Sequence, residues 1–284
     1  VDVMFNDAFR GTCSFLFDSY VMKTSNAEDY FKLGIKIIDE ASLHKIKIIS
    51  FVGDRLPSQV KGLDHLHPNS LQNTYYHTEK YRSVLFVPCI CHVFNRSLVN
   101  SIKKSQNLQK GIEILNSLQV LLRKPVIYSI INKFVPSLVE TRWVFLFDVA
   151  FWAVTNKKII NTIFVNSTNK SIKKYLKTRR FKIFHEGIPS IVEEICSVML
   201  PIKCFFDKIE QTNAPLWWTK PLLKELKKYL TDIKGKLKFL SNDCELILND
   251  FKNNYKKNAR TELINTAYAF TPMGRNAFRK KICY

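Results

Sequence analysis

The chain has 284 residues, of which 46% are hydrophobic and 13% aromatic; this is ample for a buried core and argues against a disordered polymer. Only 8 glycines are present, with no G-x-G-x-x-G or Walker-type phosphate loop, which sets aside the Gly-rich nucleotide-binding classes. The formal net charge of +20 is unevenly placed: residues 1–100 hold 11 Lys+Arg against 10 Asp+Glu, residues 101–284 hold 33 against 14, and the second part alone carries +19.

In chain order, "VDVMF" and then "CSFLFDSYVM" (13–22) are β-rich runs. The opening residues show neither a basic leader nor an apolar signal core, so the chain is expected to begin inside a folded domain. "SNAEDYFKLGIKIIDEASLHK" follows, with Ser25 or Asn26 as N-cap and apolar residues at Tyr30, Phe31, Leu33, Ile37, Ile38 and Ala41, the period of a helix. "IKIISFVG" (46–53) reads as a strand covered on both faces. One or two helices are expected over 56–82, then a second buried strand, "SVLFVPC" (83–89). This β-β-α-β-α-β order predicts a mixed sheet with helices packed on it.

Beyond about residue 92 the pattern is helical only. Apolar residues recur with a 3.6 period in "SQNLQKGIEILNSLQVLLRK", "WVFLFDVAFWAVTNKKIINTIF", "IPSIVEEICSVMLPIKCFFDKIE" and "WTKPLLKELKKYLTDIKGKLKFL", punctuated by Pro125, Pro136, Pro189 and Pro201. The most apolar run, "WVFLFDVAFWAV", is about 12 residues long and contains Asp148, too short for a bilayer span, so no membrane insertion is expected. The 7 cysteines are odd in number and scattered, which suggests reduced thiols in a nuclear or cytoplasmic protein.

Three strings in order then resemble one family. "SFVGDRLPSQVKGL", "VPCICHVFNRSLV" and "VPSLVETRWVFLFDVAFWAV" follow the order and rough spacing of hAT-type transposases, whose RNase H-like core is interrupted by a large helical insertion. Asp54 matches the family's second catalytic aspartate, with Arg55 standing where Asn is usual. Cys89 and His92 match its C-x-x-H, Phe94-Asn95 echo the Leu-Asn that follows, and Arg142 and Trp143 match its Arg-Trp pair. The wording of the first two strings is similar to a transposon-derived set in parabasalid protists. The resemblance covers roughly residues 46–155 well and the stretch up to Trp218 loosely.

What the resemblance implies is a partial RNase H-like α/β core over 1–95, a helical insertion over 96–240, and a basic segment over 241–284 that returns to the core. The fold class is thus α/β plus all-α. Such cores hold carboxylates around two divalent ions, one activating a hydroxyl and one stabilising the leaving oxygen, and Mg²⁺ suits that task. Asp54 would be the carboxylate and metal ligand, with the alternative that it only shapes the turn before Leu56-Pro57. The first carboxylate would fall upstream of Val1, and Asp2 is too close to replace it. The third should lie in a Glu-Arg-x-Phe-Ser-like string, which is absent; Glu245 and Glu262 are helix-compatible but lack its surroundings. A truncated core without its own strand-transfer chemistry is expected.

DNA is the expected partner, with homo-oligomerisation left open and no small-molecule substrate evident. Trp143 could stack on an unpaired base while Arg142 meets phosphate, or it could be a core tryptophan. Residues 156–182 contain nine cations and no acid: Lys170, Lys173, Lys174 and Lys177 fall on one helical face, with Arg179 and Arg180 beyond. That surface suits a polyanion. Against it, 33 Lys to 11 Arg is also what an AT-rich genome would produce, and a domesticated protein-interaction module or a pseudogene fragment would carry the same charge.

Cys89-Ile90-Cys91-His92 admits three readings. Zinc lacks a second ligand pair at a usable distance. A Cys-His nucleophile pair is not implied, because a strand-end C-x-x-H does not by itself aim the imidazole at the thiol. The reading preferred is locational: with Asp54, His92 and Cys89 are the catalytic candidates, His92 either supporting the Asp54 carboxylate or facing phosphate beside it, Cys89 packing against His92, and Asn95 holding the next turn.

Overall fold

The computed structural model describes residues 2–7 and 11–16 by their backbone, and 24, 26–48, 50–54, 56–64, 84–136, 145–210, 218–258 and 264–265. Two compact units share the chain: Val1–Phe94 with Gln211–Trp217 and Asn254–Tyr284 form one, Asn95–Glu210 with Trp218–Asn253 the other.

In the first unit, β1 (Asp2–Asp7) and β2 (Gly11–Leu16) pair antiparallel. Helix α1 (Ala27–Leu43) starts where the Asn26 side chain accepts the Asp29 N–H at 2.8 Å. It ends in a Schellman closure: Ile46 N–H bonds Ala41 O at 2.9 Å, Lys45 N–H bonds Ser42 O at 3.0 Å, and Lys45 sits at φ 59°. That closure claims Ile46, so β3 spans only Ser50–Gly53 instead of the whole apolar run from 46. Helix α2 (Pro57–Asp64) leads towards β4 (Leu85–Pro88), which pairs parallel with β3. A parallel pair needs such a crossover, so the β-α-β pattern is realised.

The described strands nevertheless form two separate two-stranded sheets, not one mixed sheet. Nor is β3 covered on both faces: Val52 is 68% exposed, while Ile38, Leu63, Val84 and Phe86 form a core under Tyr30, Phe31, Ile35, Ile48, Phe51 and Val60 on the other side. The fold is thus α/β in this unit and otherwise helical.

Helix α3 (Ile90–Lys104) follows β4 directly. The second unit continues with α4 (Gln106–Leu122), α5 (Pro125–Ile131), α6 (Phe145–Thr155), α7 (Lys157–Val165), α8 (Lys170–Leu176), a short 3₁₀ turn (Lys182–Phe184), α9 (Ser190–Ile209), α10 (Thr219–Lys234) and α11 (Ser241–Asn258). Its core is made where the apolar stripes of α4, α6 and α9 meet, with Leu115, Leu118, Ala150, Ala153, Val192 and Ile202 all buried. Pro125 opens α5 at its first turn and Pro189 caps α9, as their fixed φ allows. Pro201, expected to break the chain, lies inside α9: buried Val198, Met199, Ile202, Phe205 and Phe206 on either side keep the helix going, although proline costs about 3 kcal/mol there. The run 143–164 divides at Asn156, whose amide donates to Trp152 O at 2.8 Å and accepts from Lys133 Nζ at 2.9 Å. Among the described residues no single helix is long and apolar enough to cross a membrane.

Candidate functional site

Two features of the described residues carry chemistry, one in each unit. The first sits at the carboxyl ends of β3 and β4. Gly53 is in register with Pro88, and the Cys89 N–H closes that last pair by donating to Gly53 O at 2.7 Å. Asp54 and Cys89 are therefore the residues with which the two strands terminate side by side, the edge of a parallel sheet where sites are commonly built.

Cys89 is the N-cap of α3. Its carbonyl accepts the Val93 N–H at 3.1 Å, so the helix begins at Ile90 and His92 is its third residue. In that position the backbone N–H of His92 and the side chains of Cys91 and His92 all act on the Cys89 thiol electrostatically. The Cys91 thiol's hydrogen bond is the largest pull on it; partial burial opposes; the ring, the N–H and the charge of His92 add to the pull. Together they bring the Cys89 thiol down to about 4. Both thiols are half-buried and His92 is exposed, so the group is reachable from water.

Asp54 is exposed, and its carboxylate accepts the Leu56 N–H at 3.4 Å, the turn-shaping alternative. Among the described residues no three His, Cys, Asp or Glu side chains gather so as to hold a metal ion. A single exposed carboxylate does not fit a Mg²⁺ pair, which needs several oxygen ligands held together. Glu245 is engaged elsewhere: it pairs with Lys234 at 2.8 Å, and that bond holds its carboxyl below the usual range. Glu262, Arg142 and Trp143 lie outside the described residues.

The second feature is α8. Asn169 caps it, accepting the N–H of Ser171 at 2.9 Å. Ile172 and Leu176 are buried, and the opposite face presents Lys170, Lys173, Lys174 and Lys177, all exposed. Arg179, Arg180 and Lys182 continue the exposed series, the Arg180 guanidinium lying 5.6 Å from the Phe181 ring centroid. No acid occurs between Asp148 and Glu186, and among the described residues none of these seven cations forms an ion pair. Elsewhere the pattern differs: Lys104 pairs with Asp250 at 2.6 Å, Lys157 with Glu193 at 2.7 Å. Exposed lysines are not confined to α8, since Lys224, Lys227 and Lys228 on α10 are also exposed.

The chain matches no protein-family model and no curated protein.

The structure thus brings Cys89, Cys91 and His92 together at one helix start, and it gathers the six basic residues singled out in sequence onto one helix and the turn after it. What the spacing hid was the role of Cys89 as a cap. C-x-x-H is also the spacing from an N-cap to the third helical residue, and it becomes informative once the helix is known to begin at Ile90 rather than beyond His92.

Proposed function

We propose that the chain is a nucleic-acid-binding protein, transposon-derived and resembling the core of a hAT-type transposase, that holds the phosphates of DNA through the cationic face of α8 and the turn after it. The single observation that supports this most is the run of seven exposed cations from Lys170 to Lys182 with no acid in the surrounding sequence and no ion pair among the described residues. A lysine held in an ion pair must give up its partner before it can take a phosphate; these start without one. Each phosphate neutralised releases condensed counterions, which gives affinity without base recognition.

In this reading the β3–β4 pair with α1 and α2 is what remains of an RNase H-like core, and the helices of the second unit are the insertion. Arg142 and Trp143 would add a phosphate contact and a stacking surface. Asp54 alone supplies no strand-transfer chemistry, so the reading is one of binding, and Mg²⁺ would enter only if further carboxylates complete the site.

The test is a salt titration of the whole protein against a fluorescent DNA duplex. Affinity should fall linearly on a log-log plot, with a slope of about −0.9 for each phosphate contacted, so that four to six contacts give roughly −4 to −5. Absence of binding at 50 mM salt, or binding indifferent to salt, would refute the reading.

A further inference from the structure

We propose that the cationic face of α8 continues onto α5 as a site for unpaired nucleic acid, in which the lysines hold the phosphates of a single strand and the Tyr128 ring takes one of its bases. This rests on the nucleic-acid reading above and specifies the form of nucleic acid that the surface takes. Its basis is a juxtaposition of two helices. Helix α5 packs beside α8, and the side chain of Lys124, the N-cap of α5, places its ammonium 5.6 Å from the centroid of the Tyr175 ring of α8, a cation–π contact. The Tyr128 N–H donates to Lys124 O at 2.8 Å, so Tyr128 follows Lys124 by one turn on the same side of α5. Ile127 and Ile131 are buried, whereas Tyr128 is 44% exposed. Across α8, with Ile172 and Leu176 towards the core, Lys170, Lys174 and Lys177 crest the opposite face, and exposed Ser171 lies one turn before half-buried Tyr175 on the flank that meets Lys124. A ridge of cations is thus bordered by a hydroxyl, a bridging ammonium and then an exposed ring.

Charge alone favours a duplex, which carries a phosphate per about 1.7 Å of axis against about 3.4 Å for one of its strands. A duplex, however, stacks its base faces on one another and offers none to a ring beside the phosphates. A single strand offers every base, and stacking on one aromatic side chain is worth a factor of about five to a hundred in affinity. The aromatic border therefore selects the unpaired form.

Charge also separates Tyr128 from the other exposed tyrosine among lysines. Tyr229 of α10 has Glu225 one turn before it and Asp232 about one turn after it, both exposed, and these carboxylates repel the phosphate that would bring a base to the ring. No acid occurs between Glu113 and Glu140, a stretch that holds Arg123, Lys124 and Lys133 around Tyr128. Of the helices packed against α5, α7 and α8 contain no acid, and Glu113 stands more than two turns before the end of α4.

The experiment measures the affinity of the whole protein, at one salt concentration, for a fluorescent single strand of mixed sequence without self-complementarity and for the duplex of that strand with its complement. The single strand should bind about tenfold tighter. Tyr128→Ala should lower single-strand affinity by about fivefold or more and leave duplex affinity within about twofold, while Tyr128→Phe, which keeps the ring, should bind both probes as the wild type does. A merely structural role for Tyr128 would move both probes together. A single strand bound no tighter than the duplex, or Tyr128→Ala weakening both equally, would overturn the proposal while leaving phosphate binding at α8 in place. Binding to neither probe would remove the nucleic-acid reading itself, and this inference with it. Should Tyr128→Ala fail to fold, photo-crosslinking of the wild type to the same strand carrying 5-iodouracil decides: an adduct on the peptide bearing Tyr128 is expected, and adducts confined to other peptides would overturn the proposal.

Discussion

Glu194 and Leu240, 46 residues apart, are joined by a 2.9 Å hydrogen bond from the Leu240 N–H to the Glu194 carboxylate, which also accepts the N–H groups of Lys238 and Phe239 at 3.0 and 2.8 Å. Leu240 is the residue whose carbonyl starts α11, so a carboxylate of α9 stands at the positive end of α11 and satisfies three backbone donors at once. Glu194→Ala should cost about 1–3 kcal/mol, because the three donors lose their acceptor. Glu194→Gln, which keeps one acceptor oxygen, should cost less. Thermal melts check this, and a midpoint unmoved by Glu194→Ala would show that water replaces the carboxylate without loss.

Gly187 sits at φ +101°, a region closed to most side chains, and a Cβ there would lie 2.7 Å from Asn161 Oδ1, the atom that accepts the Ile188 N–H at 2.9 Å. Gly187→Ala should therefore destabilise by roughly 1–3 kcal/mol, through backbone strain together with displacement of the Asn161 side chain from that hydrogen bond. Chemical denaturation compared with Gly235→Ala, where a Cβ meets nothing within 4 Å, gives the contrast.

The Cys89 thiol makes a prediction about pH. Its value in the fold, about 4, is below its ordinary value of 9.0, so the thiolate's contribution to stability is full above about 9 and is lost as the pH falls through about 4. Between those limits the unfolded chain binds the proton that the folded one does not, and stability rises with pH. The denaturation midpoint of the wild type should accordingly gain on that of Cys89→Ser from pH 5 to pH 8. Iodoacetamide labelling of Cys89 should meanwhile be nearly flat across this range, whereas an ordinary thiol gains about tenfold per pH unit. Labelling that climbs tenfold per unit would mean the sulfur is not held as thiolate.

Much of the fold was legible in the sequence where local signals agree with packing. Asn26 as N-cap, the helical period over Tyr30 to Ala41, and the two short apolar strands are all realised. The differences arise where a nearby contact overrides the local pattern. Ile46 looks like strand but is taken up by the Schellman closure of α1; Pro201 looks like a stop but is carried through by the buried residues around it. Val52 looks like a core residue, yet apolar periodicity cannot say how many faces of a strand are covered. The lysine face of α8 was legible because 3- and 4-residue spacing alone fixes it. The thiol cluster was not, since its geometry depends on a helix boundary, the feature least fixed by sequence.

The central claim, that a particular cationic face and not bulk charge meets the nucleic acid, is tested by comparing two variants with equal loss of charge. One replaces Lys170, Lys173, Lys174 and Lys177 with glutamine; the other replaces Lys224, Lys227, Lys228 and Lys236, which are exposed on and just after α10. Salt titrations of DNA binding should show the first variant losing about 2 to 3.5 from the log-log slope and the second losing less than about 1. Equal losses in both would contradict the account, for they would mean that the charge acts as a diffuse field with no dedicated surface.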